Sequence, residues 1–506
     1  MLFRTIKRGW LRRAILGLAC FVALGFVCLV GGTNVALKSD WLSAQINSDP
    51  ATLLVTYTGA RSFSPGHLRF DTLVIRSRDS NIEWEARLEG VTVSVRLFDL
   101  LRRRLSARSV RANTLTFRLR ERLERSEATP ARLARYARIA GFGEPPLRDP
   151  AAPPAHAGNP WRIVVDDLSV GVVREIWIDS WHWTGTARLG GGLDLLPGHR
   201  AEVFPAELSF TGGTLRFGER ETFRETVGTL RAALPRFETQ EYPGNEVWKI
   251  MSGTVLLRGA LRGLDFLSAD GEGLRIAGGI GSARIGVVLD RGRGRARVDV
   301  DAARIVAKTG RRVFRGSART LVHAREIDFR EGFVSFSGSA LALSNISLDG
   351  ASRQAWAGSF TTPSARVRLT GGSLDAQVVA RFRDGRPLLA LLPSGPPKWL
   401  AGLLDLRDFG AEGHVLHAPG RLTIAKAHAE AGTFSLSGDY RETLRRTWGA
   451  LLVRKGGLSV GVGLGSGAAF HVLGATEWFE REGRPGGLRT DQPRETGEVV
   501  PTRRSK

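Results

Sequence analysis

The chain has 506 residues, with 73 Lys+Arg against 50 Asp+Glu and a formal net charge of +23. At about 150 residues per domain this length predicts about three domains, and 42% hydrophobic with 24% charged residues excludes a wholly disordered chain. The two Cys, Cys20 and Cys28, lie in the first 30 residues, which excludes a disulfide-stapled body and a Cys-based zinc or iron–sulfur site within it.

Residues 1–13 carry Arg4, Lys7, Arg8, Arg12 and Arg13 and no acid, and Ala14 to Leu37 carry no charge. As a helix this uncharged run is about 36 Å long, enough for a hydrocarbon core of about 30 Å. It exceeds the roughly 7–15 apolar residues of a cleaved leader, and Asn34-Val35-Ala36 matches a small-x-small cleavage site poorly. An uncleaved transmembrane anchor over 14–37 is therefore expected. A lipoprotein reading of Cys20 is disfavoured by Gly17, which stands where such signals prefer a branched aliphatic residue. The basic cluster precedes the span, so the positive-inside rule puts residues 1–13 in the cytosol and the body outside it, in a bacterium the periplasm. That placement removes nucleic acid as a partner of the basic body and leaves anionic lipid surfaces.

From residue 38 the pattern has period 2. Val91, Val93 and Val95 alternate with Thr92 and Ser94, and Leu115, Phe117 and Leu119 with Thr116 and Arg118. The same holds for Leu208 and Phe210, Val298 and Val300, Val334 and Phe336, and Val367 and Leu369. Each run has one apolar and one polar face, as in an antiparallel sheet solvated on one side. Gly190-Gly191-Gly192, Gly212-Gly213, Gly278-Gly279, Gly371-Gly372 and Gly456-Gly457 read as turns. Helical signals are few: two turns over Leu97–Leu105, a short basic helix over 129–142 with Pro130 at its first position, and a hairpin over Leu388–Leu392 and Lys398–Leu406. The expected organisation is a β unit over 38–128, a short helix and Pro-rich linker over 129–160, a repetitive β body over 161–480 and a disordered tail over 481–506.

The predicted class is mainly β: a long curved antiparallel sheet after an N-terminal anchor, with a few short helices. Such a sheet must cover its apolar face. Three short helices are too few, so either the sheet folds on itself or it forms a trough filled by something else. A trough of Leu, Val, Ile and Phe suits acyl chains, because each buried CH₂ is worth about 0.8 kcal/mol and a 16-carbon chain on the order of 10 kcal/mol.

Four stretches carry a resemblance. They are the anchor over 4–37; Gly66-His67-Leu68-Arg69-Phe70-Asp71-Thr72-Leu73-Val74-Ile75 leading into Leu88–Val95 and Leu97–Leu101; Ser109–Leu119; and Gly432–Tyr440 followed by Gly449–Arg454. Together these resemble the AsmA-like family of bacterial envelope proteins, within the repeating β-groove group of lipid-transfer proteins. The resemblance implies an inner-membrane-anchored periplasmic β-groove that serves phospholipid transport or outer-membrane homeostasis. The expected partners are phospholipid or another acyl lipid and the inner membrane, with no nucleic acid. Candidate lipid-facing residues are the alternating sets above together with Ile176 and Ile178, and Arg102, Arg103 and Arg104 are candidates for headgroup contact.

Catalytic signatures are weak. No Lys stands in a Walker loop and no GxSxG elbow occurs. Gly461-Val-Gly463-Leu-Gly465 reads as small-residue strand or turn. His414-Val-Leu-His417 with His428 has helical spacing among glycines, and on a strand His414 and His417 face opposite sides. Asp166-Asp167 and Asp299-Val-Asp301 read as solvated strand acids, and Arg291-Gly-Arg293-Gly-Arg295 as a hairpin turn. Trp177, Trp181 and Trp183 read as cross-strand packing, with a groove lining as the alternative. No cofactor or metal is implied. The rival to a lipid groove is an envelope scaffold with protein partners at its edge strands. An enzyme lacks an evident acid pair.

Overall fold

Extended backbone dominates the chain in a computed structural model that describes residues 24–48, 50, 52–79, 81–148, 161–242, 244–268, 275–309, 312–348, 356–385, 406–444, 446–465 and 468–482. Two units are distinguished, residues 1–355 and 356–506.

The first unit opens with helical residues 24–38 (α1) and Asp40–Ile46 (α2). Strands β1 (Leu53–Thr58), β2 (Arg61–Ser64), β3 (His67–Arg78), β4 (Ile82–Val95) and β5 (Arg104–Glu121) follow, with helix α3 (Leu97–Leu100) between the last two. After helix α4 (Pro130–Leu133) come β6 (Arg162–Ile178), β7 (Trp181–Leu196), β8 (Arg200–Phe217), β9 (Arg220–Glu238) and β10 (Ser252–Leu261). The unit continues through β11 (Arg275–Asp290), β12 (Arg293–Thr309), β13 (Arg312–Asp328), β14 (Phe333–Phe336) and β15 (Ser339–Leu348).

The mainly β class holds, with few helices, but the sheet is not purely antiparallel. β5 and β6 run parallel, Leu115 opposite Val173. A parallel pair needs a long crossover, and residues 122–161 supply it. Arg120 holds that crossover down. Its side chain is 1% exposed; Nε donates to Glu83 Oε2 at 2.8 Å, and Nη1 donates to the Ala137 carbonyl at 3.0 Å and pairs with Glu144.

The predicted helix over 129–142 is one turn, capped by Thr129 with Pro130 at its start. Beyond it the carbonyls of Ala137 and Gly143 turn to Arg120 instead of continuing a helix. The predicted two turns over Leu97–Leu105 are likewise one, because Arg103 adopts φ 53° and Arg104 already begins β5. The helical hairpin over 388–406 lies outside the described residues apart from Leu406, as do residues 149–160 and 483–506. Residues 14–23 of the expected anchor also lie outside them. Among the described residues no helix is long and apolar enough to cross a membrane.

Glycine signals divide. Gly371-Gly372 and Gly456-Gly457 are turns, and Arg291-Gly292 (φ 47° and 79°) makes the two-residue β11–β12 hairpin in which both residues need positive φ. Gly190–Gly192, Gly212-Gly213 and Gly278-Gly279 instead lie inside β7, β8 and β11. At Gly213 the reason is space: a Cβ there would stand 2.5 Å from Trp183 Nε1. Trp183 is buried in the main core, edge-on to Phe210 at 5.0 Å.

The second unit contains β16 (Trp356–Thr362), β17 (Ala365–Arg368), β18 (Ser373–Asp384), β19 (Arg407–Ala418), β20 (Arg421–Ala431), β21 (Phe434–Thr443), β22 (Thr447–Lys455), β23 (Leu458–Leu464) and β24 (Ala468–His471). From β18 to β24 each strand pairs antiparallel with the next. Helix α5 (Ala475–Glu482) lays Trp478 over Gly461 and Gly463 of β23, so the glycine run makes room for an indole.

Candidate functional site: an apolar cavity and groove

Register builds the site. Partners directly opposite on neighbouring strands share one sheet face. Starting from Tyr57 on β1, successive partners are Leu73, Leu88, Leu115, Val173 and Ala187, then Phe210, Gly228, Leu257, Ile285, Val298 and Val322. This row crosses twelve strands of the first unit, β1 and β3–β13, and its one polar atom is the Tyr57 hydroxyl. That hydroxyl donates to the Leu37 carbonyl at 3.1 Å, and burial raises its pKa. With about 4.8 Å between strands, the row runs about 50 Å along the sheet, more than one hydrocarbon core of about 30 Å. A second row lies beside it: Val170, Leu189, Leu208, Leu230, Val255, Val287, Ala296, Ala324 and Phe336.

The intervening residues occupy the opposite face, and they are mostly polar or charged. Arg258 faces Arg284, which faces Asp299; Gly286 faces Arg297, which faces His323. Leu256 and Leu257 are neighbours in sequence on opposite faces, and Leu256 is 60% exposed.

The rows are covered unevenly. At the β1–β7 end they enter the main core, where Leu88, Leu115, Val173 and Ala187 are buried. Here lies a cavity of about 550 Å³, within the usual range of ligand sites. Every lining side chain is apolar or aromatic, including Leu37, Leu42 and Ile46 from the N-terminal helices, Leu53 and Tyr57 from β1, Trp84 from β4 and Ile163 from β6. From Phe210 onward the row is only half-buried. Two small clusters flank it there. Leu261, Leu264 and Ala302 with Phe223, Phe266 and Val300 form one rim, and Leu289, Ala324 and Ile327 with Val287, Val334 and Phe336 the other. Between them Leu257, Ile285, Val298 and Val322 form a trough floor. The second unit repeats the arrangement by itself: Phe360, Ala380, Ala411, Ala429, Leu436, Val453 and Val460 are successive partners across its strands.

Of the residues singled out from sequence, Val93, Val95, Leu115, Phe117 and Leu119 line the cavity. Val91 is fully buried in the same core, and Ile176, Leu208 and Phe210 pack against it. Val334 and Phe336 sit on a rim. Ile178, at the end of β6, is exposed. Val367 is half-buried on β17 and Leu369 exposed in the following turn; neither belongs to the second unit's row. Arg102 and Arg103 are exposed, whereas Arg104 is half-buried and begins β5. Sequence reading passed over Tyr57, Leu73, Leu257 and Ile285, whose common face depends on long-range register.

The tryptophans separate. Trp183 is core, Trp181 packs on Phe217 and Phe266, and Trp177 donates to the Asp179 carbonyl at 2.9 Å. His414 and His417 lie three apart on extended β19, and His414 meets Asp375 at 2.6 Å. Asp166 pairs with Arg96, and Asp299 stands opposite Arg284. Comparison with protein families, curated proteins and solved structures finds no match.

Proposed function

We propose that this chain is a non-enzymatic, membrane-anchored envelope protein whose apolar groove holds acyl lipid, in the manner implied by its resemblance to AsmA-like proteins. The observation that carries this reading is the unbroken apolar row across twelve strands. At one end it enters a cavity lined by apolar and aromatic side chains, and beyond that it is half-buried. Water in such a cavity finds no polar partners, so it favours an apolar occupant. Acyl chains would lie along the row while headgroups remain at the rims. The uncharged run over 14–37 would hold the cavity end at the donor membrane, with residues 1–13 in the cytosol and the basic body in the periplasm. Phospholipid transport or outer-membrane homeostasis is the corresponding role.

The adjacent pair Leu256 and Leu257 tests this. The full chain and its Leu257→Asp and Leu256→Asp variants are purified without added lipid, and co-purifying phospholipid is quantified by mass spectrometry. Leu257→Asp, on the trough floor, should lose most of the lipid, and Leu256→Asp, on the opposite face, should retain it. Equal retention in both variants, or no lipid in the parent chain, contradicts the reading; the second result with a stoichiometric protein partner favours a scaffold.

A further inference from the structure

Three segments meet beside the cavity near the N-terminal helix, of which α1 and α3 line it through Leu37 and Leu100. Asn34 ties α1 to β2, Nδ2 donating to the Ser62 carbonyl and Oδ1 accepting from Ser62 N–H, each at 2.8 Å. The β2–β3 turn reaches the end of β4, where Val95 N–H donates to the Gly66 carbonyl at 2.7 Å. α3 follows directly. Its Leu97 packs on the core and Leu100 forms part of the cavity wall.

The other side of that turn faces outward. Phe98 and Leu101 are 86% and 85% exposed, and Phe63, next to Ser62 on β2, is 67% exposed. Exposed Arg102 and Arg103 continue the tip. Nearby Arg61 lies 6.0 Å from the Phe63 ring and pairs with Asp71, and Arg96 pairs with Asp166. Asp99 is the single acid among residues 96–104, against four arginines. Large apolar side chains on an exposed tip mark an interaction surface. Interleaved arginines, together with the Asn34–Ser62 bonds that tie this tip to α1, whose Leu24, Val27 and Leu29 are themselves exposed, select the interface of an anionic lipid leaflet as its occupant.

We infer that Phe63, Phe98 and Leu101, flanked by Arg102 and Arg103, insert into the interface of an anionic phospholipid leaflet and set the cavity mouth at the depth of the acyl chains. This rests on the groove reading, because Leu100 joins the inserted turn to the cavity wall.

The test uses the full chain with Cys20→Ser and Cys28→Ser and one new cysteine, Leu101→Cys or, as a control in the second unit, Leu458→Cys. Each carries an environment-sensitive fluorophore and is reconstituted into phosphatidylcholine vesicles with or without phosphatidylglycerol, together with lipids bearing a nitroxide near the headgroup. The label at 101 should be quenched and blue-shifted, more strongly with phosphatidylglycerol, and the label at 458 should not. Arg102→Gln with Arg103→Gln should lower quenching at 101 to the level seen without phosphatidylglycerol. Quenching at 101 no greater than at 458 overturns the inference, and if phospholipid still co-purifies, the docking tip fails while the groove stands. Quenching at 101 in a chain that co-purifies no phospholipid supports the tip and overturns the groove.

Discussion

Arg120 shows how one side chain fixes the site's frame. Its guanidinium and Glu83 are almost fully buried and bonded to each other, and Arg78 and Arg122 approach the same carboxylate at 3.8 Å and 3.9 Å. Removing one partner of a buried pair leaves an uncompensated charge and typically costs about 3–5 kcal/mol. Arg120→Met should therefore lower the urea midpoint by a shift equivalent to about 3 kcal/mol and make residues 122–148 more sensitive to protease. An unchanged midpoint would show that the crossover is held by other contacts. Asp194 gives a residue-scale pH signature. Hydrogen bonds from Arg162 hold its carboxyl below the ordinary carboxylate range, with the charges of Arg200 and Arg236 adding to the effect. A lowered carboxyl contributes stability above its unfolded value of about 3.9 and loses it as pH falls through the folded value. Stability measured by urea denaturation from about pH 7 down to about pH 3 should fall more steeply for the parent chain than for Asp194→Asn. Parallel curves would contradict that assignment.

The strand and the row are the elements that matter, and they differ in how readable they are. Period-2 alternation marked β4, β5, β8, β12 and β14 because adjacent side chains point to opposite faces, a local property. The hairpin at Arg291-Gly292 was equally legible, since two residues with positive φ demand glycine-compatible turn chemistry. The mid-strand glycines were not legible, because the space they leave serves partners such as Trp183 and Ala206, brought in by other strands. The short helices at 97–100 and 130–133 fell short of the sequence pattern for a related reason: a left-handed residue, Arg103, ends the first, and a tertiary donor, Arg120, takes the carbonyls beyond the second. The groove itself was legible only as a shortage of cover. Which apolar residues stand in one line depends on cross-strand register, and the parallel β5–β6 step follows from a crossover whose anchor, Arg120, reads in sequence as one arginine among 65.

On the scale of the whole molecule, each unit meets the covering problem of a large sheet in the same way. Each has an apolar row on one face; the other face carries arginines and short polar residues in the first unit and a mixture in the second, Glu412 opposite His428 and Ser437 opposite Leu452. Arg258, Arg284 and Arg297 thus lie on the face turned away from the apolar rows of the first unit. In the first unit the rows lead from the cavity beside the N-terminal helices to a half-buried trough, one continuous apolar surface. The decisive measurement is site-specific photo-crosslinking in cells. A photoreactive amino acid replaces, one at a time, Phe210, Leu257 and Val298 on the row and Leu256 and Val288 on the opposite face, and phospholipid attached to the full chain is detected. Adducts at 210, 257 and 298 with none at 256 and 288 are the predicted result; equal labelling of both faces, or none on the row, would contradict the lipid groove.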